Sequence, residues 1–401
     1  MIMAHKSIKA DLLDPKEKDR VFLWLDDRNG CAYMNNQEDM IYMQTALDLA
    51  RLARGKTSPN PMVGAVVVRD GRIVGQGYHK KAGTEHAEIL ALREAGEEAR
   101  GADIYITLEP CSHTGKTPPC APALVEAGIK RAVIACLDPN PEVAGQGEKI
   151  LRERGVQTEV GLFQDEARKL NEVFFKYIQT RTPFMVLKTA MTLDGKIAAV
   201  SGDSRWITGE ASRKLVHQMR NTYDAIMAGI GTVLADDPRL NTRLEEGEQR
   251  DPVRIIVDGA LDLPLDSQIA RSSTEQETII LTSLIRNRKQ AGALEERGIK
   301  IIELGGSPEQ VPVEQALPLL GEMGICSILV EGGAALNAYL LGQRVINKVC
   351  WFIAPKLIGG KNAPSPVAGP GIELMRDAVE LDDIQYQQLE RDILITGYTR
   401  W

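Results

Sequence analysis

TEHAEILAL, residues 84–92, sets a histidine and a glutamate two positions apart at the head of an apolar-periodic segment. Residues i and i+2 do not share a helix face. His86 and Glu88 can therefore serve one site only where a helix begins, with the site lying over its end. The segment 86–95 is read as that helix. The question is what else the chain brings to His86.

The partners stand at 109–120, EPCSHTGKTPPC. One imidazole, His86, and two thiols, Cys111 and Cys120, make a three-ligand zinc site whose fourth position is free for water. That is the arrangement of a catalytic zinc, not a structural one. Zinc brings the pKa of its water toward about 7. Glu88 is then the base that takes the water proton and passes it to a leaving amine. Each residue alone would be read as a packed or surface side chain; the combination is specific. Cys31, Cys136, Cys326 and Cys350 have no metal spacing and are read as buried small residues.

Around these residues the chain alternates. EDMIYMQTALDLARLARG, from Glu38, has a helical period in Met40, Met43, Leu47 and Ala50, with Gly55 as its end. Two β-like runs, 62–68 and 72–78, flank Arg69-Asp70-Gly71, a hairpin signal. A strand at 103–108, a helix at 120–128 and a strand at 131–136 complete an α/β layer. Residues 163–180 read as a helix leading to Thr182-Pro183, a domain joint. A second α/β series follows, with strands at 184–191, 224–229, 253–259, 278–283, 326–333 and 348–355.

The chain has 401 residues and a net charge of −7. The length suggests two or three domains. The acidic balance argues against a broad nucleic-acid or anionic-membrane surface. No apolar run reaches the about 18 residues of a membrane span, and the N-terminus lacks a signal-peptide core. Cytoplasm is expected, and six cysteines fit a reducing compartment.

His-Ala-Glu followed by Pro-Cys and a second Cys resembles the zinc-dependent cytidine and adenosine deaminases. One departure matters: eight residues separate the cysteines, Ser112 to Pro119. That loop, with SPNPMVGAVVV and LDPNPEVAGQG, looks like the bifunctional riboflavin-biosynthesis deaminase/reductase family, from about residue 39 to the C-terminus. The resemblance implies a cytidine-deaminase-like α/β/α domain at 38–181 and a dihydrofolate-reductase-like α/β domain at 182–401, with 1–37 an extension of unknown role. It implies deamination of a diaminopyrimidinone carrying a phosphoribosylamino group, then NADPH-dependent reduction of the ribosyl chain to ribityl. Carried over by position, Asn60, His79, His113 and Lys116 line the deaminase pocket. Lys116 and His113 suit a sugar phosphate.

The second half has no G-x-G-x-x-G. Its best local signal is ILVEGGAALNAYLL, 328–341, an apolar strand running through Glu331-Gly332-Gly333 into a helix. Glycines at such a turn let phosphates approach backbone N–H groups. On its own this is an ordinary tight turn. KTAMTLDGKIA, SGDSRWITGE and GTVLADDPRLNTR carry the resemblance here. It implies cofactor contacts from Ala190, Trp206, Thr232, Asp236, Gly259 and the run Gly333, Ala334, Ala335, Leu336, Asn337, Ala338 and Tyr339. Ser204, Arg220, Leu240, Arg243 and Glu331 are implied for the substrate, with Asp236 as a catalytic carboxylate beside its competitor Asp237.

The expected cofactors are one Zn2+ per chain and NADPH. The expected partners are small phosphoribosylamino-pyrimidines and further copies of the chain, with neither nucleic acid nor membrane. A nucleic-acid deaminase would share the four zinc-site residues. The ligand loop, the acidic balance and the second half speak against it. A structural zinc would not need Glu88.

Overall fold

The computed structural model describes residues 37–112, 118–140, 143–285 and 287–401. The first helix, α1 (Gln37–Arg51), buries Met43, Leu47 and Ala50 completely, as their period requires. β1 (Gly64–Arg69) and β2 (Arg72–Tyr78) form a hairpin closed by Asp70 and Gly71, both at positive φ. That is the left-handed pair a two-residue turn needs.

α2 (Ala87–Ala95), β3 (Asp103–Ile106), α3 (Cys120–Glu126), β4 (Arg131–Ile134), α4 (Gln146–Glu153) and β5 (Gln157–Val160) follow. The sheet order is β2-β1-β3-β4-β5. β3, β4 and β5 are parallel, and the hairpin is antiparallel. Ala65, Val66 and Val67 are all fully buried, so helices cover both faces of β1.

The single helix expected over 163–180 is two, α5 (Gln164–Leu170) and α6 (Glu172–Thr180). The break is at Asn171. Its side chain brackets the Met62 backbone, accepting from N–H at 2.8 Å and donating to C=O at 2.9 Å. That tertiary demand overrides helix continuity.

The second sheet has nine strands, from β6 (Phe184–Thr192) through β7 (Ala225–Gly229), β8 (Val253–Val257), β9 (Thr278–Thr282), β10 (Lys300–Glu303), β11 (Ser327–Val330) and β12 (Lys348–Ala354) to β13 (Glu380–Leu389) and β14 (Asp392–Arg400). Their order is β10-β9-β8-β7-β11-β6-β12-β14-β13. Strands β10 to β12 of that order are parallel, and β14 and β13 add an antiparallel edge. Its helices are α7 (Glu210–Thr222), α8 (Ile230–Asp236), α9 (Gln268–Arg271), α10 (Arg288–Glu295), α11 (Val313–Glu322) and α12 (Ala334–Gly342). The expected strands are present, most of them shorter at their ends and β6 one residue longer. Cys136, Cys326 and Cys350 are buried, as read; Cys31 lies outside the described residues.

Candidate active sites

The zinc-type site starts from two glycines in β2. A Cβ on Gly75 would lie 2.2 Å from the Ala91 carbonyl, and one on Gly77 2.6 Å from that of Ala87. Their absence of side chains lets α2 lie directly on the strand. His86 caps that helix in extended conformation, and Glu88 follows in its first turn, 3 % exposed. Cys111 comes from the loop after β3, and Cys120 is the first residue of α3.

His86 Nδ1 lies 3.2 Å from Cys120 Sγ and 3.5 Å from Cys111 Sγ. All three donor atoms fall within 4.8 Å of one another. A tetrahedral zinc with bonds of about 2.3 Å to sulfur and about 2.1 Å to nitrogen sets N···S edges near about 3.5 Å. The soft sulfurs and the imidazole thus fit Zn2+ in type and spacing. A hydrogen bond from the Cys120 thiol, helped by His86, pulls the Cys111 thiol down toward thiolate. A hydrogen bond to Cys111 raises His86. Burial pushes Glu88 up to about 7, with the Cys111 charge adding to it.

The site opens into a cavity of about 440 Å³ whose walls include Asn60, His79, Asp138, Asn140, Phe174 and Ile178. His79 Nδ1 lies 3.1 Å from the Glu85 carbonyl, which can only accept, so this nitrogen carries the proton. Nε2 then accepts from the Asn60 amide at 3.1 Å. Burial lowers the His79 pKa and keeps the ring neutral. Asn60 and His79 are therefore one hydrogen-bonded unit on the pocket wall. His113 and Lys116 lie outside the described residues.

Sequence reasoning missed Glu109. Its buried carboxylate accepts backbone N–H bonds from Asp138 at 3.0 Å, Gly145 at 2.9 Å, Gly147 at 2.8 Å and Glu148 at 3.2 Å. A Cβ on Gly147 would stand 1.9 Å from the Pro110 carbonyl. The two motifs, EPC and AGQG, are thus locked together, and the loop carrying Asp138 and Asn140 is fixed beside the ligands.

In the second half, Glu331 closes β11 and gathers two cations. Arg220, on α7, donates Nε at 2.6 Å and Nη2 at 2.9 Å, and Lys188, on β6, donates at 3.1 Å. The third arm of Arg220 reaches the Asn241 carbonyl at 3.0 Å, while Asn241 Oδ1 accepts from Arg243 at 2.7 Å. His217, one turn before Arg220, accepts the Arg243 N–H at 3.3 Å. The structure therefore brings Arg220, Arg243 and Glu331 together and adds Lys188, His217 and Asn241. A lone lysine inside an apolar strand and a lone helical histidine carry no sequence signal.

The turn after β11 meets the first turn of α8: a Cβ on Gly333 would lie 3.1 Å from Thr232 Oγ1. Gly333 caps α12, whose Asn337 is buried with an Oδ1 that has no partner among the described residues. Leu336 is buried in the core, Ala335 is exposed, and Ala334, Ala338 and Tyr339 are half-buried. Leu240 packs its side chain into the core beside Val233 and Ile256, so any ligand contact there falls to its backbone. Gly259 lies against the Pro308 backbone, where a Cβ would come within 2.2 Å of the Pro308 carbonyl oxygen, and its own carbonyl is taken by Ser283 and Thr282. Trp206 is exposed, with the Arg213 guanidinium 4.6 Å from its ring centre; Ser204 and Ala190 are half-buried. Asp236 is exposed at the end of α8, and no hydrogen bond joins it to the Glu331 cluster among the described residues.

Two family models match the chain: the cytidine and deoxycytidylate deaminase zinc-binding region over residues 36–136, and the RibD C-terminal domain over 183–395. Riboflavin biosynthesis protein RibD of Actinobacillus pleuropneumoniae is 44 % identical over 89 % of this chain and 94 % of that protein. RibD of Escherichia coli is 38 % identical over 89 % and 98 %. Among solved structures, Acinetobacter baumannii RibD superposes with a TM-score of 0.81 at 37 % identity, over 91 % of this chain and 99 % of that one. A Thermotoga maritima protein described as a diaminohydroxyphosphoribosylaminopyrimidine deaminase/5-amino-6-(5-phosphoribosylamino)uracil reductase gives 0.77 at 34 % identity, over 90 % and 99 %. With its zinc-type triad on one sheet and its reductase half on the other, the chain belongs to the RibD family of bifunctional riboflavin-biosynthesis deaminase/reductases.

Proposed function

We propose that this chain acts on the substrates named for the Thermotoga protein: it deaminates the diaminohydroxyphosphoribosylaminopyrimidine, then reduces the ribosyl group of 5-amino-6-(5-phosphoribosylamino)uracil to ribityl with NADPH. The observation that carries the first step is Glu88, a buried carboxylate set beside three convergent metal ligands at the floor of a pocket. Zinc, when bound by His86, Cys111 and Cys120, supplies a water acidified toward neutral pH. Glu88 takes a proton from that water and returns it to the departing amine, a role suited to a carboxyl raised to about 7 by burial. Asn60 and His79 orient the pyrimidine as a neutral pair. His113 and Lys116 remain assigned to the sugar phosphate on the resemblance alone.

For the second step, NADPH, when bound, would supply the hydride for C1 of the opened ribosylamine. Gly332, Gly333, Thr232 and the unpartnered Asn337 Oδ1 suit a polar cofactor at the head of α12. Ala190, Trp206, Gly259, Asp236 and the rest of the run to Tyr339 stay in the proposed cofactor set. Arg243 suits the substrate phosphate, while Arg220 and Lys188 are both held by Glu331. Domain limits of 38–181 and 182–401 follow from this assignment. We also read the enzyme as a cytoplasmic homo-oligomer. The exposed edge strand β13 with Ile384 and Tyr386 supports association. No helix among the described residues is long and apolar enough to cross a membrane.

Glu88→Gln tests the assignment. It is expected to keep zinc and lose deamination by about 10²–10⁴-fold, with reduction of the deaminated substrate intact. Cys111→Ser is expected to lose tight zinc. Full activity in the first variant, or full zinc in the second, contradicts the site.

A further inference from the structure

Helix α6 works on two faces. Phe174 and Ile178, one turn apart, line the cavity over the zinc-type site. Glu172 and Lys176 stand two residues either side of Phe174, hence about 200° around the helix. They reach the second sheet. Lys176 Nζ donates to the Pro183 carbonyl at 2.7 Å and to Asn347 Oδ1 at 2.9 Å. Asn347 is itself fixed to β6, its Oδ1 accepting the Met185 N–H at 2.9 Å and its own N–H donating to the Met185 carbonyl at 2.9 Å. Glu172 accepts from Lys348 at 2.8 Å and from the Tyr398 hydroxyl, and the Tyr177 hydroxyl donates to Gly321 at 3.1 Å.

The apolar contacts divide the same way. Phe174 and Phe175 pack on the core of the first sheet, and Val173 packs on the cluster of the second that holds Phe184, Val186 and Phe352. Lys176 meets two uncharged oxygens and, among the described residues, no carboxylate within ion-pair range. Burial draws its pKa down to about 8. With two neutral acceptors and no counter-charge among the described residues, its contribution is the geometry of its two hydrogen bonds.

We infer that Lys176 is a positioning residue for deamination: through Asn347 it lets the reductase half set the α6 wall of the deaminase pocket. The inference rests on the functional reading of that pocket given above. The metal ligands come from α2, the loop after β3 and α3, so a loosened α6 leaves zinc in place. It moves Phe174 and Ile178 instead, and with them the fit of the substrate.

The test uses the full-length zinc enzyme with the diaminohydroxyphosphoribosylaminopyrimidine as substrate. Lys176→Met is expected to raise the deaminase KM about five- to tenfold, the worth of one to two hydrogen bonds. Its kcat, zinc content and reduction of the deaminated substrate should match the parent. Asn347→Asp keeps the Met185 acceptor and gives Lys176 an anion, so its KM should not rise. An unchanged KM in Lys176→Met, or a lower kcat together with lost zinc, overturns the inference. Should Lys176→Met not fold, Tyr177→Phe removes another tie of the same helix. Its KM should rise about twofold, and an unchanged value overturns the inference. A parent enzyme that does not deaminate this substrate at all overturns the functional reading itself, and is told apart by that.

Discussion

Arg220 grips Glu331 with two arms of its guanidinium, at 2.6 and 2.9 Å, deep at the carboxyl end of β11. Burial opposes ionisation of Glu331, yet Arg220 and Lys188 outweigh it and hold the carboxyl well below its usual range. The pair is a brace between α7 and β11 as much as a ligand site. Glu331→Gln leaves two largely covered cations short of an anion. It should cost about 3–5 kcal/mol in urea unfolding of this half and most of the reductase activity, while deamination persists. Wild-type NADPH oxidation in this variant would contradict the assignment.

Asp236 and Asp237 are adjacent but differ in employment. Asp237 takes positive φ at the end of α8, and its Oδ1 accepts the Gln268 N–H at 2.8 Å. Asparagine tolerates that backbone and keeps an acceptor, so Asp237→Asn should leave turnover near the parent value. Among the described residues, no side-chain hydrogen bond ties Asp236 in this way. If it moves a proton during ring opening and reduction, Asp236→Asn should slow NADPH oxidation about 10²-fold or more. The reverse pattern would hand the role to Asp237.

His217 gives a pH prediction. Burial, reinforced by Arg220 and Arg243, lowers its pKa to about 4, with Lys188 adding to this and Glu331 opposing it. The unfolded chain takes up this proton near about 6.5; the folded protein does not until near 4. Between those values the unfolded state binds more protons, so stability falls as pH falls through that window. Comparing denaturation midpoints at pH 7 and pH 4.5, His217→Gln should lose less than the parent. Equal losses would mean the folded protein protonates His217 freely.

Glu109→Gln replaces an anion that accepts four N–H bonds by an amide that must present its own N–H groups to them. Zinc content should hold, since Glu109 bonds none of the three ligands. The deaminase KM should rise about tenfold or more as the Asp138 loop loosens. Parallel loss of zinc would show that Glu109 supports the ligands instead.

Much of this was legible in the residues. Asp70-Gly71 announced the hairpin, the Met43-Leu47-Ala50 period announced α1, and His86 with Cys111 and Cys120 announced a metal site that the fold assembles. Much of what escaped notice lacked local pattern. The edge strand β13, ELDDIQYQQL, is exposed along almost its whole length, so no alternation of apolar and polar residues marks it. β5 and β10 are short edge strands for the same reason. The α5–α6 break depends on Met62, more than a hundred residues away in sequence. Lys188, His217 and Glu109 matter through partners on other elements, and a single sequence does not display those meetings.

The most direct test of the central claim incubates purified protein with the diaminohydroxyphosphoribosylaminopyrimidine, with and without NADPH, and follows ammonia and the pyrimidine products. Ammonia and 5-amino-6-(5-phosphoribosylamino)uracil are expected without NADPH, and the ribityl product, with NADPH consumed in equal amount, when it is present. Reduction without prior deamination, or ammonia release that survives Glu88→Gln, would contradict it.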